Sequence, residues 1–437
     1  LTRHAAGGPL PSSPMPDPAP STFDPLQVLA DRFRAAIAAA FPEAADADPL
    51  ITATKQTAMG DFQSNAAMSL AKRLGKKPRE IAAAIVAAAQ LGDIAEPLTD
   101  QSVAGPGFIN IRLRGEALSS LVIALDQPGL GIEKPARAQT IIVDLMGVNL
   151  AKQMHVGHLR SPFIGDALAR AFERLGHKVI RQNHVGDWGL PIAMVVTRLM
   201  REATAGTRNL STITLDDLDE AYKAAQAECQ RDMAGLEAVR KYGLGPKAAA
   251  ELEEQVAGAT EAFTRARQTL IKLQAHDPET FAVWQRIADV TMTVCIQTCR
   301  RLHVNVTAEH SAGESSYASE LPAMVDDLVK RGIAEESEGA LVVRLEESEY
   351  GAIREPCLVR KSDGGYLYAT TDIAAIRRRV QKLLGERLVY AIDARQSLHM
   401  KQVFGASRKA GYARNPVTGS DAVMEHAAFG AILGDDG

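Results

Sequence analysis

The sequence predicts an α/β protein in which a small α/β domain precedes a parallel-sheet domain that carries a helical insertion. Three observations predict it. Residues 140–183 read as strand, loop, helix and strand, which is one βαβ unit of a parallel sheet. Residues 201–280 are dominated by Ala, Glu, Gln and Lys at helical spacing, with no strand pattern among them. The stretch DQPGLGIEKPARAQ at 126–139 has the Pro, Gly and charge content of a linker and separates the two regions.

The elements follow in order. Residues 1–22 are rich in Pro, Ser and Ala and read as a disordered tail. The domain at 23–125 opens with a helix at 25–41, a short strand near 50–56, helices near 62–74 and 78–91, and extended segments around 100–113. After the linker, the second domain at 140–437 begins with the buried strand TIIVDL. A helix from about His155 to Leu175, closed by Gly176, leads into the strand KVIRQN. Beyond the insertion, strand-like runs return at ALVVRL, GYLYAT, RLVYAI and MEHAAFGAIL, and no internal repeat is present.

Composition removes several classes of function. With 437 residues, 46% of them hydrophobic, the chain can bury a large core, and no window approaches 18 uninterrupted apolar residues. The opening lacks an apolar signal-peptide region, so a cytoplasmic location is expected, with no membrane partner. Cys229, Cys295, Cys299 and Cys357 are too few for a disulfide framework. A formal charge of −4 argues against a uniformly basic nucleic-acid binder. The basic runs AKRLGKKPRE at 71–80 and IRRR at 376–379 read as solvated helix faces.

The chemistry centres on NLAKQMHVGHLR, Asn149 to Arg160. Ligands of parallel sheets bind at the carboxyl ends of the strands, beside the following helix N-terminus. His155 and His158 fall on that N-terminus, where free backbone N–H groups and the positive end of the helix dipole favour anions. Two imidazoles there add donors to a phosphate site, and Gly157 lets a flat base approach the backbone. Zinc binding by the pair needs further ligands nearby, and this unit has no cysteine.

The tetrapeptide HVGH resembles the HIGH signature of class I aminoacyl-tRNA synthetases, and the longer segment NLAKQMHVGHLRSPFIGDALARAFERLGHKVIRQNHVGDWG resembles that of arginyl-tRNA synthetases. GDFQSNAAMSLAKRLGKKPREIA, AGPGFINIRL, GESSY, KSDGGYLYATTDIA, YAIDARQ and EHAAFGAILGDDG resemble the same family in the same order, from about residue 25 to the last. The resemblance implies a Rossmann-like class I catalytic domain and an arginine-tRNA ligase. Such an enzyme uses ATP with Mg2+, binds L-arginine and arginine tRNA, works as a monomer and holds no tightly bound cofactor or metal.

On this reading His155, His158 and Lys152 are catalytic, and His155, Gly157 and His158 bind ATP. Lys152 shares the work of the second class I signature, KMSK. A guanidinium presents paired planar donors that a carboxylate accepts bidentately, and the resemblance points to Asp144, Asn149, Glu314, Tyr368, Asp372 and Gln396 around the amino acid. The local pattern supports Tyr368 and Asp372, since GYLYAT ends a strand and TTDIAAIRRRV starts a helix, so both face the carboxyl edge of the sheet. Read without the family, Asp372 is an acid in a first helical turn capped by Thr370 or Thr371, Glu314 a surface loop acid, and Asp144 a cap of the next element. Phe108 and Asn110 sit where the family meets an outer loop of the tRNA, a stacking aromatic beside an amide. Cys295, Cys299 and His303 recur every four residues, as metal ligands on one helix face do, but cysteines at this spacing read more simply as core.

Three departures stand out. Met146-Gly147-Val148 replaces the family's small polar residues and proline, and a methionine there is expected to crowd or desolvate the arginine site. Leu190 and Pro191 follow Asp-Trp-Gly in place of Thr-Gln. The chain stops at GDDG, where the family continues into the second signature loop and the helical anticodon-binding domain, so impaired aminoacylation is expected. Two other readings remain: a nucleotidyltransferase sharing His-x-Gly-His, which does not need Tyr368, Asp372 and Gln396, and a non-catalytic tRNA- or protein-binding fragment.

Overall fold

The computed structural model describes residues 24–54, 57–132, 134–242, 246–348, 351–362 and 364–430. The tail expected at 1–22 and the final seven residues lie outside them. The chain divides into two compact units between Ala136 and Arg137.

The first unit opens on α1 (Pro25–Ala40), whose start is fixed by Asp24 accepting the Leu26 N–H at 2.9 Å and by proline at the first helical position. Then come β1 (Ile51–Ala53), β2 (Phe62–Ser64), α2 (Ala66–Leu74), α3 (Pro78–Ala88), β3 (Val103–Ala104), β4 (Phe108–Ile111) and α4 (Gly115–Leu125). The strands pair antiparallel in the order β1-β2-β4-β3. Phe33 and Ile37 of α1, Ile81 and Ile85 of α3, and Ile109 and Ile111 of β4 form its core. Two expectations are corrected. The helix near 62–74 begins only at Ala66, because Phe62, Gln63 and Ser64 are paired with Ile111, Asn110 and Ile109. The apolar segment 115–125, to which the sequence pattern assigned nothing, is helical.

The second unit contains β5 (Thr140–Asp144), α5 (Val156–Arg174), β6 (Lys178–Gln182), and five helices: α6 (Leu190–Thr204), α7 (Leu215–Glu228), α8 (Met233–Tyr242), α9 (Pro246–Gln274) and α10 (Pro278–Arg301). It continues with α11 (Leu321–Lys330), β7 (Glu335–Ser337), β8 (Ala340–Ser348), β9 (Gly351–Arg360), α12 (Tyr368–Gln381), β10 (Arg387–Tyr390), α13 (Ser397–Lys409) and β11 (Val423–His426). The central sheet is parallel, in the order β11-β10-β5-β6, and β7, β8 and β9 form a separate antiparallel sheet. Both faces of the parallel sheet are covered, as its apolar strands require. Ile141 and Val143 pack toward the core shared with α6, α7 and α10, and Ile142 toward that of α12 and α13. Gly165 lets α5 sit close on the sheet, since a side chain there would stand 2.4 Å from Leu145 Cβ.

The sequence pattern misplaced one strand. GYLYAT is not extended: β9 ends at Arg360, Gly364 turns the chain at φ +84°, and α12 starts at Tyr368 itself. Thr370 fastens that start, its hydroxyl accepting the Leu367 N–H at 3.2 Å and donating to the Val359 carbonyl at 2.7 Å. The run expected through MEHAAFGAIL is a strand only over Val423–His426. Leu190 and Pro191 occupy the first turn of α6, where proline gives up no helical hydrogen bond.

Candidate active site

The carboxyl edge of the parallel sheet opens into a cleft of about 280 Å³. β5 delivers Asp144 to it, and the chain then runs irregularly to α5 through left-handed residues Met146 (φ +80°), Gly147 (φ +56°) and Ala151 (φ +60°). Ser161 of α5 pins this loop: its hydroxyl accepts the Met146 N–H at 2.9 Å and donates to the Ala391 carbonyl, past the end of β10, at 2.6 Å.

His155 is the N-cap of α5. Its Nδ1 accepts the Gly157 N–H at 3.0 Å, and the His158 Nδ1 accepts the His155 N–H at 3.4 Å, with the two rings stacked 3.9 Å apart. With each Nδ1 accepting a backbone N–H, Nε2 is the ring nitrogen left to donate in both imidazoles. Burial, and then the neighbouring His155 and Lys152 charges, lower the His158 pKa and favour its neutral form. Gly157 is required by the cap itself, since a Cβ would lie 2.7 Å from the His155 ring. Gly157 and His158 border the cleft, whereas His155 is not part of its lining and packs on the His158 ring.

The opposite wall is acidic. Asp144, Asn149, Glu314, Tyr368, Asp372 and Gln396, all anticipated from the sequence, line the one cleft. Asp372 is held between two histidines, with His399 Nε2 at 2.7 Å from one oxygen and His184 Nε2 at 3.4 Å from the other. Burial opposes its charge, but the His399 hydrogen bond and the His184, His399 and Arg379 charges keep its pKa below the ordinary aspartate value. Tyr368, at the first position of α12, leans on the His399 ring at 4.8 Å. Glu314 differs: burial, followed by the Asp372 and Asp187 carboxylates, pushes its pKa up to about 8. Asp144 pairs at 2.6 Å with Arg379 of the same chain, leaving at most its second oxygen to a ligand.

That pair overturns the reading of 376–379 as a solvated face. Arg379 is 1% exposed, and its Nε donates to Gln182 at the end of β6 at 3.1 Å. Sequence reasoning also missed His184, Asp187 and His399. Asp187 shapes the Glu314 loop by accepting from the Ser315 N–H at 2.8 Å and the Ser315 hydroxyl at 2.6 Å, and it lies so close that a Cβ on Gly313 would meet it at 2.3 Å. Signals existed, since His184 and Asp187 stand in the block NHVGDWG and His399 lies three residues after Gln396.

Lys152 is not part of the cleft lining: its Nζ lies 4.2 Å from the centroid of the Tyr222 ring on α7. Met146 borders the cleft but is 2% exposed, with its Sδ 3.8 Å from the Cys299 Sγ, so its side chain belongs to the core. Cys295 and Cys299 are fully buried, and burial pushes their thiols up to about 12 and about 11, so they are inert packing groups. His303 lies beyond the end of α10, in a left-handed conformation at φ +57°.

The first unit presents its own candidate surface. On β4, Phe108 and Asn110 alternate with the fully buried Ile109 and Ile111. The Asn110 side-chain oxygen accepts from Gln63 Nε2 on β2 at 2.8 Å, which orients the amide.

A parallel sheet whose carboxyl edge carries His-x-Gly-His on a helix N-terminus, facing an amino-acid-sized polar cleft, has the architecture of a class I aminoacyl-tRNA synthetase catalytic domain. The family described as class I (R) tRNA synthetases, catalytic domain, matches residues 121–437, and the arginyl tRNA synthetase N terminal domain family matches residues 27–113. The chain belongs to the arginyl-tRNA synthetase family. It is 40% identical over 395 residues to an arginine–tRNA ligase of Cellvibrio japonicus, covering 90% of this chain and 62% of the relative. It is 40% identical over 415 residues to that of Hahella chejuensis, covering 94% and 65%. The chain thus spans less than two thirds of the length of these relatives. Its fold matches the crystal structure of arginyl-tRNA synthetase from Plasmodium falciparum, with a TM-score of 0.70 at 23% identity over 93% of this chain and 65% of that one. It also matches the Thermus thermophilus arginyl-tRNA synthetase, with a TM-score of 0.61 at 22% identity over 93% and 66%. Among the described residues no helix is long and apolar enough to cross a membrane.

Proposed function

We propose that the chain carries the catalytic region of a cytoplasmic, monomeric arginine-tRNA ligase. One observation carries the reading: Gly157 and the His158 imidazole at the start of α5 and the carboxyl groups of Asp144, Glu314 and Asp372 line a single cleft at the end of β5. Donors suit phosphates, and buried carboxylates suit a guanidinium and an ammonium.

In the reaction an oxygen of the arginine carboxylate bonds to the α-phosphorus of ATP, which enters as its Mg2+ complex. The bond from that phosphorus to the bridging oxygen breaks, and pyrophosphate leaves. A terminal ribose hydroxyl of arginine tRNA then attacks the activated carbonyl and AMP leaves. No covalent enzyme intermediate is needed, so the protein contributes positioning and charge stabilisation. His155 and His158 donate from Nε2 to the phosphates, Gly157 borders the nucleotide, and Lys152 adds a positive charge. Asp372 and Tyr368 receive the guanidinium end with Glu314, while Asn149, Gln396 and the anchored Asp144 orient the remaining polar groups. Phe108 and Asn110 meet an exposed loop of the tRNA.

Arginine-dependent ATP–pyrophosphate exchange in the presence of arginine tRNA tests the reading. Exchange with another acid in place of arginine favours a nucleotidyltransferase instead, and no binding of ATP or arginine by calorimetry favours a non-catalytic fragment.

A further inference from the structure

The loop between β5 and α5 is fastened at three consecutive residues, first to α10 and then to α7 of the helical insertion. The Ala151 N–H donates to the Thr291 hydroxyl of α10 at 3.1 Å, Lys152 sits over the Tyr222 ring of α7, and Gln153 hydrogen-bonds Asp216 of the same helix. Ala151 and Thr291 are fully buried, so the first attachment is rigid. Lys152 and Tyr222 are both only half-buried, and the ammonium has no ion-pair partner among the described residues. An aromatic face attracts an ammonium modestly at such a site, enough to set its resting place yet weak enough to be exchanged for a phosphate. The lysine is thus held three residues from His155, beside the cleft and outside its lining.

The geometry points to Tyr222 as a positioning residue that parks Lys152 on the helical insertion until the phosphates of ATP draw the ammonium off the ring. This rests on the proposed role of Lys152 toward ATP. Recruiting the lysine breaks the cation–π contact, so the ring works against nucleotide binding while keeping the ammonium close to where it is used. The insertion thereby sets the availability of a charge in a site to which α7 contributes no lining residue.

Calorimetric titration of the full chain with ATP and Mg2+, for Tyr222→Leu, Tyr222→Phe, Lys152→Ala and the Tyr222→Leu/Lys152→Ala double variant, tests this. Tyr222→Leu is expected to tighten ATP binding by about two- to fivefold, the range of a partly exposed cation–π contact. Tyr222→Phe keeps the ring face and should match the parent, and in the Lys152→Ala background the leucine should change nothing. A weaker affinity for Tyr222→Leu, or the same change with and without Lys152, overturns the proposal, because the ring then supports the fold and not the lysine. ATP affinity unaltered by Lys152→Ala overturns the prior reading of that lysine.

Discussion

Asp372 carries its charge because two imidazoles and Arg379 surround it, so a substitution there removes a prepared acceptor from the cleft. Asp372→Asn preserves the shape and is expected to weaken arginine binding by about 2–3 kcal/mol, the worth of a charged hydrogen-bonded pair, with ATP affinity retained. Titration calorimetry with each ligand separately checks this, and unchanged arginine affinity removes Asp372 from the site. Glu314 makes the opposite case. With its carboxyl at about 8 in the folded chain against 4.5 as the ordinary value, it is largely protonated at neutral pH. A folded-state pKa above the unfolded one means the folded chain binds the extra proton, so stability is lost as pH rises from about 4.5 to about 8. Glu314→Gln should flatten that decline in urea unfolding measured between those values. A guanidinium arriving beside Glu314 favours the carboxylate, so arginine binding at pH 7 should release a proton, visible as a binding enthalpy that varies with the ionisation enthalpy of the buffer.

Among the elements, the loop after β5 shows how packing decides what a sequence departure means. Met146-Gly147-Val148 suggested a crowded arginine pocket, but the left-handed backbone at Met146 and Gly147 turns the methionine into the core against Cys299. Met146→Ser is therefore expected to cost about 2–3 kcal/mol of stability in chemical denaturation through the cavity it leaves. Gly186, in the turn after β6, pairs with Asn149, and a Cβ on it would stand 2.0 Å from the Asn149 side-chain oxygen. Only the end of one side chain is in the way, so Gly186→Ala should fold with a small shift in Tm while displacing Asn149 and lowering arginine affinity by roughly tenfold. Equal losses of stability and affinity would assign Gly186 to the fold alone. The turn into α12 shows the limit of local pattern: GYLYAT has the composition of a strand, but Gly364 and the Thr370 cap commit it to a loop and a helix start.

For the whole molecule, the candidate amino-acid and nucleotide site lies within residues 137–437, and the candidate tRNA surface at Phe108 and Asn110 lies within the first unit. Asn110→Ala should raise the Kd for arginine tRNA by roughly tenfold, the scale of one lost base contact, and leave arginine and ATP binding as they are. Filter binding with the tRNA beside calorimetry with the small ligands separates these, and a matching change in all three would mean that the substitution perturbs the fold. The sequence by itself determined the βαβ unit and the helix start that holds His155 and His158, which depend on local spacing and on caps that physics reads over one or two turns. The polar residues that meet in the cleft were legible only through the resemblance of separate blocks to one family, since each alone reads as an ordinary loop or helix-cap residue. Only the tertiary structure decided that Arg379 is buried against Asp144 and that Asp187 shapes the Glu314 loop from 128 residues away. The same holds for His399 holding Asp372, Met146 facing the core and Lys152 resting on Tyr222. Each of these is a contact between segments distant in sequence, and its partner is fixed by how the sheet and the insertion pack, which no local pattern encodes.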